Sequence, residues 1–265
     1  MDFGIKGRVA IVTGASKGIG RAAAELLAAE GAALVLSARG GEALDATVAA
    51  LRATGADVVG VAGDVRDAET TAAIVDAANK AHGVIHILVN NAGGESGHLR
   101  IDQLSDEDWE DAYRVNVVSA MRITVAALPF MVAEGWGRIV NVASYTARVP
   151  EPFCAPYAAA KAALVNVTRN LSRSYAADGV CANCVLPGLT DTEGVRAGFD
   201  AASFASGRPQ DQLVARMLER APIDAGRLGA SAEVAAAIAF LCSEQASWIT
   251  GASLAVDGGT VRSAP

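Results

Sequence analysis

Three side chains near the middle of the chain have the types and spacing needed to move a proton: Ser144, Tyr157 and Lys161. Tyr157 and Lys161 stand four residues apart in the apolar, helix-forming run Pro156-Tyr157-Ala158-Ala159-Ala160-Lys161-Ala162-Ala163-Leu164. That spacing puts a phenol and an ammonium on one helix face. A free tyrosine titrates near ~10, too high to trade protons at neutral pH, and a nearby cation favours the phenolate and lowers that value. Tyr157 is therefore a candidate acid/base. Ser144 ends the run Gly137-Arg138-Ile139-Val140-Asn141-Val142-Ala143-Ser144. The run reads as a buried strand with a hydroxyl at its carboxyl end, where ligands of open α/β sheets sit. A bare Tyr-x-x-x-Lys also describes two surface residues of an amphipathic helix, so the surrounding elements must decide.

The other reactive residue types give weaker patterns. Cys154, Cys181, Cys184 and Cys242 show no framework spacing, and the thiols of a cytoplasmic chain stay reduced. Cys181 and Cys184 form a CxxC, but within the strand-like Val180 to Leu186 positions three apart point to opposite faces. His82 and His86 have the spacing of a helical metal pair, yet Gly83-Val84-Ile85 between them reads as a loop entering a strand. No metal site is expected. Asn166-Val167-Thr168 and Asn170-Leu171-Ser172 match a glycosylation pattern inside a predicted helix of an unsecreted chain and carry no weight.

The 265 residues suit one α/β domain spanning 1–265, and 52 % hydrophobic with 19 % charged residues is the composition of a globular protein with a large core. No run of about 18 uninterrupted apolar residues occurs, and Met1 to Arg8 leads into a strand without a signal-peptide core. A cytoplasmic protein off the membrane is expected. A net charge of -7 argues against a general nucleic-acid binder.

Strand-like runs alternate with helical ones throughout: Val9 to Val12, Leu34 to Leu36, Val58 to Val61, Ile85 to Val89, Ile139 to Val142, Cys181 to Leu186 and Ser253 to Val256. Seven strands joined by helical crossovers imply a doubly wound, Rossmann-type parallel sheet with its motif-bearing strand ends along one edge. No strand is expected between about 190 and 230. The first strand empties into Thr13-Gly14-Ala15-Ser16-Lys17-Gly18-Ile19-Gly20, ahead of a helix from Arg21 to Glu30 that Gly31 stops. Such glycines let backbone N–H groups and the helix dipole approach a pyrophosphate.

Gly14-xxx-Gly18-Ile19-Gly20, Asn90-Asn91-Ala92-Gly93, Ser144, Tyr157-xxx-Lys161 and Pro187-Gly188 follow one another in this order, with Ser144 thirteen positions before Tyr157. Together they resemble the short-chain dehydrogenase/reductase family over essentially the whole chain. The type resembled is the single-domain one that includes 3-oxoacyl-carrier-protein reductases and many alcohol, sugar and steroid dehydrogenases. The resemblance implies hydride transfer between a nicotinamide and a carbonyl carbon. It makes Tyr157 the acid/base and Ser144 the partner of the carbonyl oxygen. Lys161 lowers the phenol's pKa and holds the nicotinamide ribose, and Asn116 anchors a water between that lysine and solvent. It further implies cofactor contacts at Gly14, Ser16, Lys17, Gly18, Ile19 and Gly20, at Asp64 and Val65 beside adenine, and at Asn91, Ala92 and Gly93. Pro187 and Gly188 open a PGxxxT pattern in which Thr190 or Thr192 meets the carboxamide. For Asn116 and Asp64 a purely local capping role stays open.

An acid near the end of the second strand marks NAD preference, and here that position is Ala38, followed by Arg39. Arg39 can pair with a 2′-phosphate and stack on adenine, and Lys17 adds a second cation. NADP is thus expected over NAD. Substrate choice should reside in Gly94 to Gly97, in Tyr145 to Phe153, and in a helical lid near 190–228 carrying Val195, Phe199, Phe204, Leu213, Val214, Met217 and Leu218. Apolar residues on several faces of the helices around Trp109 to Met131 and Tyr157 to Tyr175 add to the family expectation of a homotetramer, with a dimer next. Two other readings are an NAD-dependent alcohol dehydrogenase of the same family and a non-catalytic dinucleotide sensor.

Overall fold

Seven parallel strands in the order β3-β2-β1-β4-β5-β6-β9 form the centre of the computed structural model, which describes residues 2–94, 99–220 and 223–262. The strands are β1 (Val9–Thr13), β2 (Ala33–Ala38), β3 (Val58–Ala62), β4 (Ile87–Asn90), β5 (Gly137–Val142) and β6 (Val180–Pro187). An excursion bracketed by the two-residue strands β7 (Thr190–Asp191) and β8 (Gly229–Ala230) then leads to β9 (Ser253–Val256). All residues of β1, β4, β5 and β6 are buried, as central parallel strands covered on both faces must be. The edge strands β3 and β9 are half-exposed.

The crossovers are α1 (Gly18–Ala29), α2 (Gly41–Ala53), α3 (Ala68–His82), α4 (Asp106–Tyr113), α5 (Ser119–Ala133) and α6 (Ala155–Tyr175). The excursion holds α7 (Glu193–Ser206) and α8 (Gln210–Arg220), and α9 (Ser231–Leu241) follows it. Leu27, Leu44, Val48, Leu51 and Ile238 place α1, α2 and α9 on one sheet face. Ile74, Ile123, Leu128 and Leu171 place α3, α5 and α6 on the other. The stretch Asp106–Ala133 is long and apolar enough to cross a membrane, with mean hydropathy 1.7 in its most apolar window. Ile123, Ala127, Leu128 and Met131 instead pack it into this core.

A buried polar chain ties the middle strands to these helices. Asn90 donates to Thr124 Oγ1 (3.1 Å) and Asn141 Oδ1 (2.8 Å), Asn141 donates to Thr168 Oγ1 (2.7 Å), and Thr168 Oγ1 lies 3.0 Å from Cys184 Sγ. Such chains fix register because a slip would leave each member unpaired in the core. Cys181 Sγ donates instead to Ser247 O at 3.5 Å, so the two thiols of the CxxC serve different neighbourhoods. At the opposite end of the sheet the two histidines also part company. His86 Nδ1 accepts from Val9 N (3.0 Å), whereas His82 Nδ1 lies 3.8 Å from Asp57 Oδ2.

The strand order reverses between β1 and β4, which opens the crevice where such sheets hold ligands. All seven expected strands are present. The correction concerns 190 to 230, where β7 and β8 pair in parallel, Thr190 opposite Gly229 and Asp191 opposite Ala230. This short ladder closes the base of the α7–α8 excursion.

Candidate active site

Helix α6 begins with Pro156 near its start, where a missing N–H costs nothing, and carries Tyr157 and Lys161 one turn apart. Lys161 Nζ lies 5.5 Å from the centre of the Tyr157 ring and donates to Val142 O, at the end of β5, at 2.8 Å. The lysine is 3 % exposed. Burial pulls its pKa from 10.5 down to about 8, against a smaller upward pull from Cys184. Tyr157 is half-buried and thus open on one side.

Ser144 leaves β5 in an extended conformation and starts the tight turn Tyr145–Ala147. Its Oγ accepts from Thr146 N at 3.2 Å and from Thr146 Oγ1 at 2.9 Å. Asn116 sits in a π-helical turn, Arg114–Val118, between α4 and α5, an irregularity frequent at functional sites. Its Nδ2 donates to Ala112 O and to Gly94 O, both at 2.9 Å, and its Oδ1 accepts from Gly94 N at 3.3 Å. A Cβ on Gly93 would lie 2.6 Å from Asn116 Oδ1 and 3.0 Å from Lys161 Nζ, so these two side chains meet across that glycine.

The glycine turn is fastened to the same edge. Thr13 Oγ1 accepts from Asn91 N (3.0 Å) and Ala92 N (2.9 Å), while Asn91 Nδ2 donates to Thr13 O (2.9 Å) and Gly14 O (3.2 Å). Only glycine fits at position 20, where a Cβ would come 2.3 Å from Gly14 O and 2.4 Å from Asn91 Nδ2. A strand, a glycine turn closed by Asn91, and a helix N-terminus beside a buried lysine form a cradle for a dinucleotide. Ser37 Oγ, wholly buried at the end of β2 with no hydrogen-bond partner among the described residues, offers a further polar group near the Ala38-Arg39 end of that strand.

A family model described as "Enoyl-(Acyl carrier protein) reductase" matches residues 14–261. The cis-4-hydroxycyclohexanecarboxylate dehydrogenase of Sinomonas cyclohexanicum is 40 % identical over 252 residues, 95 % of this chain and 96 % of that one. The 3-oxoacyl-(acyl-carrier-protein) reductase FabG of Escherichia coli is 36 % identical over 259 residues, 98 % of each. The chain belongs to the short-chain dehydrogenase/reductase family. Among solved structures, L-sorbose reductase from Gluconobacter frateurii, complexed with NADPH and L-sorbose, matches all of both chains with a TM-score of 0.95 at 34 % identity. The protein is thus an oxidoreductase with a Rossmann-type sheet, and Ser144, Tyr157 and Lys161 stand on adjoining elements of one sheet edge.

The remaining expected site residues differ in how they are engaged. Arg39 and Lys17 are exposed, and their side chains make no hydrogen bond or ion pair among the described residues. Asp64 Oδ1 accepts from Arg66 N at 2.9 Å, a local loop cap, and the adjacent Val65 side chain is buried. Ser16 is half-buried, its carbonyl accepting from Thr47 Oγ1 at 3.4 Å, and Ile19 packs on the core. Gly188 approaches Asp257 so closely that a Cβ would lie 2.6 Å from its Cα. Thr190 is buried and donates to Gly188 O at 3.0 Å. Thr192 caps α7 by accepting from Val195 N at 3.2 Å, and its Cγ2 lies 3.2 Å from where a Gly18 Cβ would be. Of the two threonines, Thr192 is the one against the glycine turn. Of the expected substrate stretch Gly94 to Gly97, residues 95–97 lie outside the described residues.

Sequence reasoning missed three participants. In the sequence Thr13 is only the last residue before the glycines, and Thr146 only one member of the Tyr145 to Phe153 stretch expected to govern substrate choice. Glu193 had no signal at all, yet its Oε2 accepts from Gly18 N at 2.9 Å. The carboxylate thus sits on the first turn of α1, at the positive end of the helix dipole. It lies in a cleft of about 250 Å³ whose other walls include Gly18, Arg21, Asp191, Arg196 and Ser231.

Proposed function

We propose that the protein is an NADP(H)-dependent reductase of ketones to secondary alcohols, one domain spanning 1–265, working in the cytoplasm as a homotetramer. The observation that carries this reading is the buried Lys161 ammonium beneath the Tyr157 ring, hydrogen-bonded to Val142 O and facing Gly93 across from Asn116. A cation held there favours the phenolate form of Tyr157, which makes the phenol a proton donor matched to neutral pH. A bound nicotinamide would supply the hydride for the carbonyl carbon, or receive it in the reverse direction.

Tyr157 gives its phenolic proton to the carbonyl oxygen as negative charge gathers there, and takes it back in oxidation. Ser144 donates its hydroxyl proton as a hydrogen bond to the same oxygen, stabilising the alkoxide-like transition state. Lys161 keeps the phenol acidic and binds the ribose hydroxyls. Asn116 holds the Gly93-Gly94 segment against Lys161 and anchors the water that links the lysine to solvent. Gly14, Ser16, Gly18, Ile19 and Gly20 would cradle the pyrophosphate, Asp64 and Val65 would meet adenine, and Asn91, Ala92 and Gly93 would line its ribose side. Pro187 and Gly188 lead into the carboxamide contact, which we assign to Thr192 because Thr190 is bonded to Gly188 O.

Arg39 and Lys17, uncommitted cations at the end of β2 and in the glycine turn, support NADP over NAD, as does the NADPH in the L-sorbose reductase structure. Exposed Val125 and Val132 on α5, together with Trp248 (97 % exposed) and Leu254 on the edge strand, support association with further copies. The test of cofactor choice is the affinity of NADPH and NADH for the wild type and Arg39→Ala. One charge-assisted contact is worth roughly 1.5–3 kcal/mol, so the variant should lose about 10- to 150-fold for NADPH and almost nothing for NADH. Equal losses would sink the phosphate role. Light scattering tests the assembly, and a 26.9 kDa monomer would defeat it.

A further inference from the structure

The serine at the end of β5 is held in an unusual hydrogen-bonding state by a residue two positions on. A serine hydroxyl has two acceptor positions and one proton to donate. At Ser144 Oγ the two acceptor positions are taken by Thr146 N at 3.2 Å and Thr146 Oγ1 at 2.9 Å. The first of these bonds is an ordinary serine turn that any residue other than proline would make at 146. The second needs a hydroxyl on residue 146, and Thr146 is 5 % exposed, so water is a poor substitute for it.

We infer that Thr146 is a positioning residue that keeps Ser144 as a hydrogen-bond donor. The inference rests on the reading that Ser144 faces the substrate oxygen. With both lone pairs engaged, the only capacity left to the serine is its own proton, directed away from Thr146. An oxygen that accepts two hydrogen bonds is also the stronger donor, because bonds in a chain polarise one another. The substrate oxygen needs a donor most when hydride has arrived and its charge is greatest. Thr146 therefore acts on the transition state more than on ground-state binding, and its loss should appear in kcat more than in KM.

Thr146→Val removes the hydroxyl and keeps the shape, and Thr146→Ser keeps the hydroxyl. For any ketone the wild type reduces, Thr146→Val should lower kcat by about 3- to 12-fold, the scale of one hydrogen bond, with KM and NADPH affinity within about two-fold of wild type. Thr146→Ser should restore kcat. In a Ser144→Ala background Thr146→Val should cost nothing further, because the hydroxyl it acts through is gone. Unchanged kcat in Thr146→Val, failure of Thr146→Ser to restore it, or the same loss in the Ser144→Ala background would each overturn the inference. If Thr146→Val proves too unstable to assay, Thr146→Ala takes its place with the same expected split. Full turnover in Ser144→Ala alone would overturn the reading of the site itself, which separates the two failures.

Discussion

The wall that carries Ser144, Tyr157 and Lys161 and the helical excursion that follows Thr192 are held by opposite means. In the wall, Asn116, Ser144 and Lys161 are buried, and each is fixed by hydrogen bonds to backbone or to a buried neighbour. Behind it, the chain from Asn90 to Cys184 pins β4, β5 and β6 to α5 and α6. In α7 no residue is buried, and Phe204 is 94 % exposed. The excursion is tied at its base by the two-residue ladder of β7 and β8 and by exposed ion pairs such as Arg196 with Asp191 and Arg227 with Glu233. Water screens such pairs, so they hold the segment weakly. The side chains of the proposed site are thus set before any ligand arrives, while the excursion is held by contacts that cost little to break.

The largest expected effect isolates the wall. Tyr157→Phe removes the transferable proton and keeps the ring, so turnover should fall by about 100-fold or more while NADPH still binds. Near-normal turnover would remove Tyr157 as acid/base, and the contrast between the two regions would lose its meaning.

A second variant sharpens the claim that the wall carries a strained charge. Lys161 has a folded pKa of about 8 against 10.5 when free. Between those values the unfolded chain holds the proton more tightly, so stability rises as pH climbs through about 8. Cys184 and Cys242 are pushed up from 9.0 to about 11 and about 12 by burial. Above pH 9 their deprotonation favours the unfolded chain, which confines the clear rise to about pH 8 to 9. Chemical denaturation across that window should show the rise in the wild type and a flatter profile in Lys161→Met, with weaker NADPH binding in the variant. Identical profiles would mean that Lys161 is not held as a desolvated cation.

The smallest effect concerns the joint between the regions. Glu193, the first residue of α7, places a carboxylate on Gly18 N, in the glycine turn proposed to hold the pyrophosphate. Glu193→Gln removes the competing charge, and the gap between a charge-assisted and a neutral hydrogen bond is about 1 kcal/mol. NADPH should bind the variant about five-fold more tightly, with kcat almost unchanged, as titration of NADPH fluorescence would read. Weaker binding would mean that Glu193 helps to hold the cofactor.

The two regions were also unequally legible in the sequence. Each central strand is buried on both faces and therefore appears as a largely apolar run, as in Val180 to Pro187, where Asn183 is the one polar amide. The glycine turn and the Tyr157–Lys161 pair are local patterns whose spacing is their geometry. The π-helical turn at Arg114–Val118 has no such signature, because it is settled by the Asn116 amide reaching Ala112 O and Gly94. The β7–β8 ladder is too short for any periodicity. Glu193 and Gly18 are 175 positions apart, and nothing around a single exposed carboxylate announces where it will land. Thr146 is one hydroxyl in a loop, distinguished only once its bond to Ser144 is seen.

The central claim is a wall pre-set for proton transfer to a carbonyl oxygen, and its most direct test is reduction of a ketone panel with NADPH deuterated at the transferring position. A secondary alcohol carrying deuterium on the carbinol carbon should form in step with NADPH consumed, and be near absent in Tyr157→Phe that still binds NADPH. Tight NADPH binding by the wild type with no alcohol formed from any ketone would contradict it and leave a dinucleotide-binding protein without this chemistry.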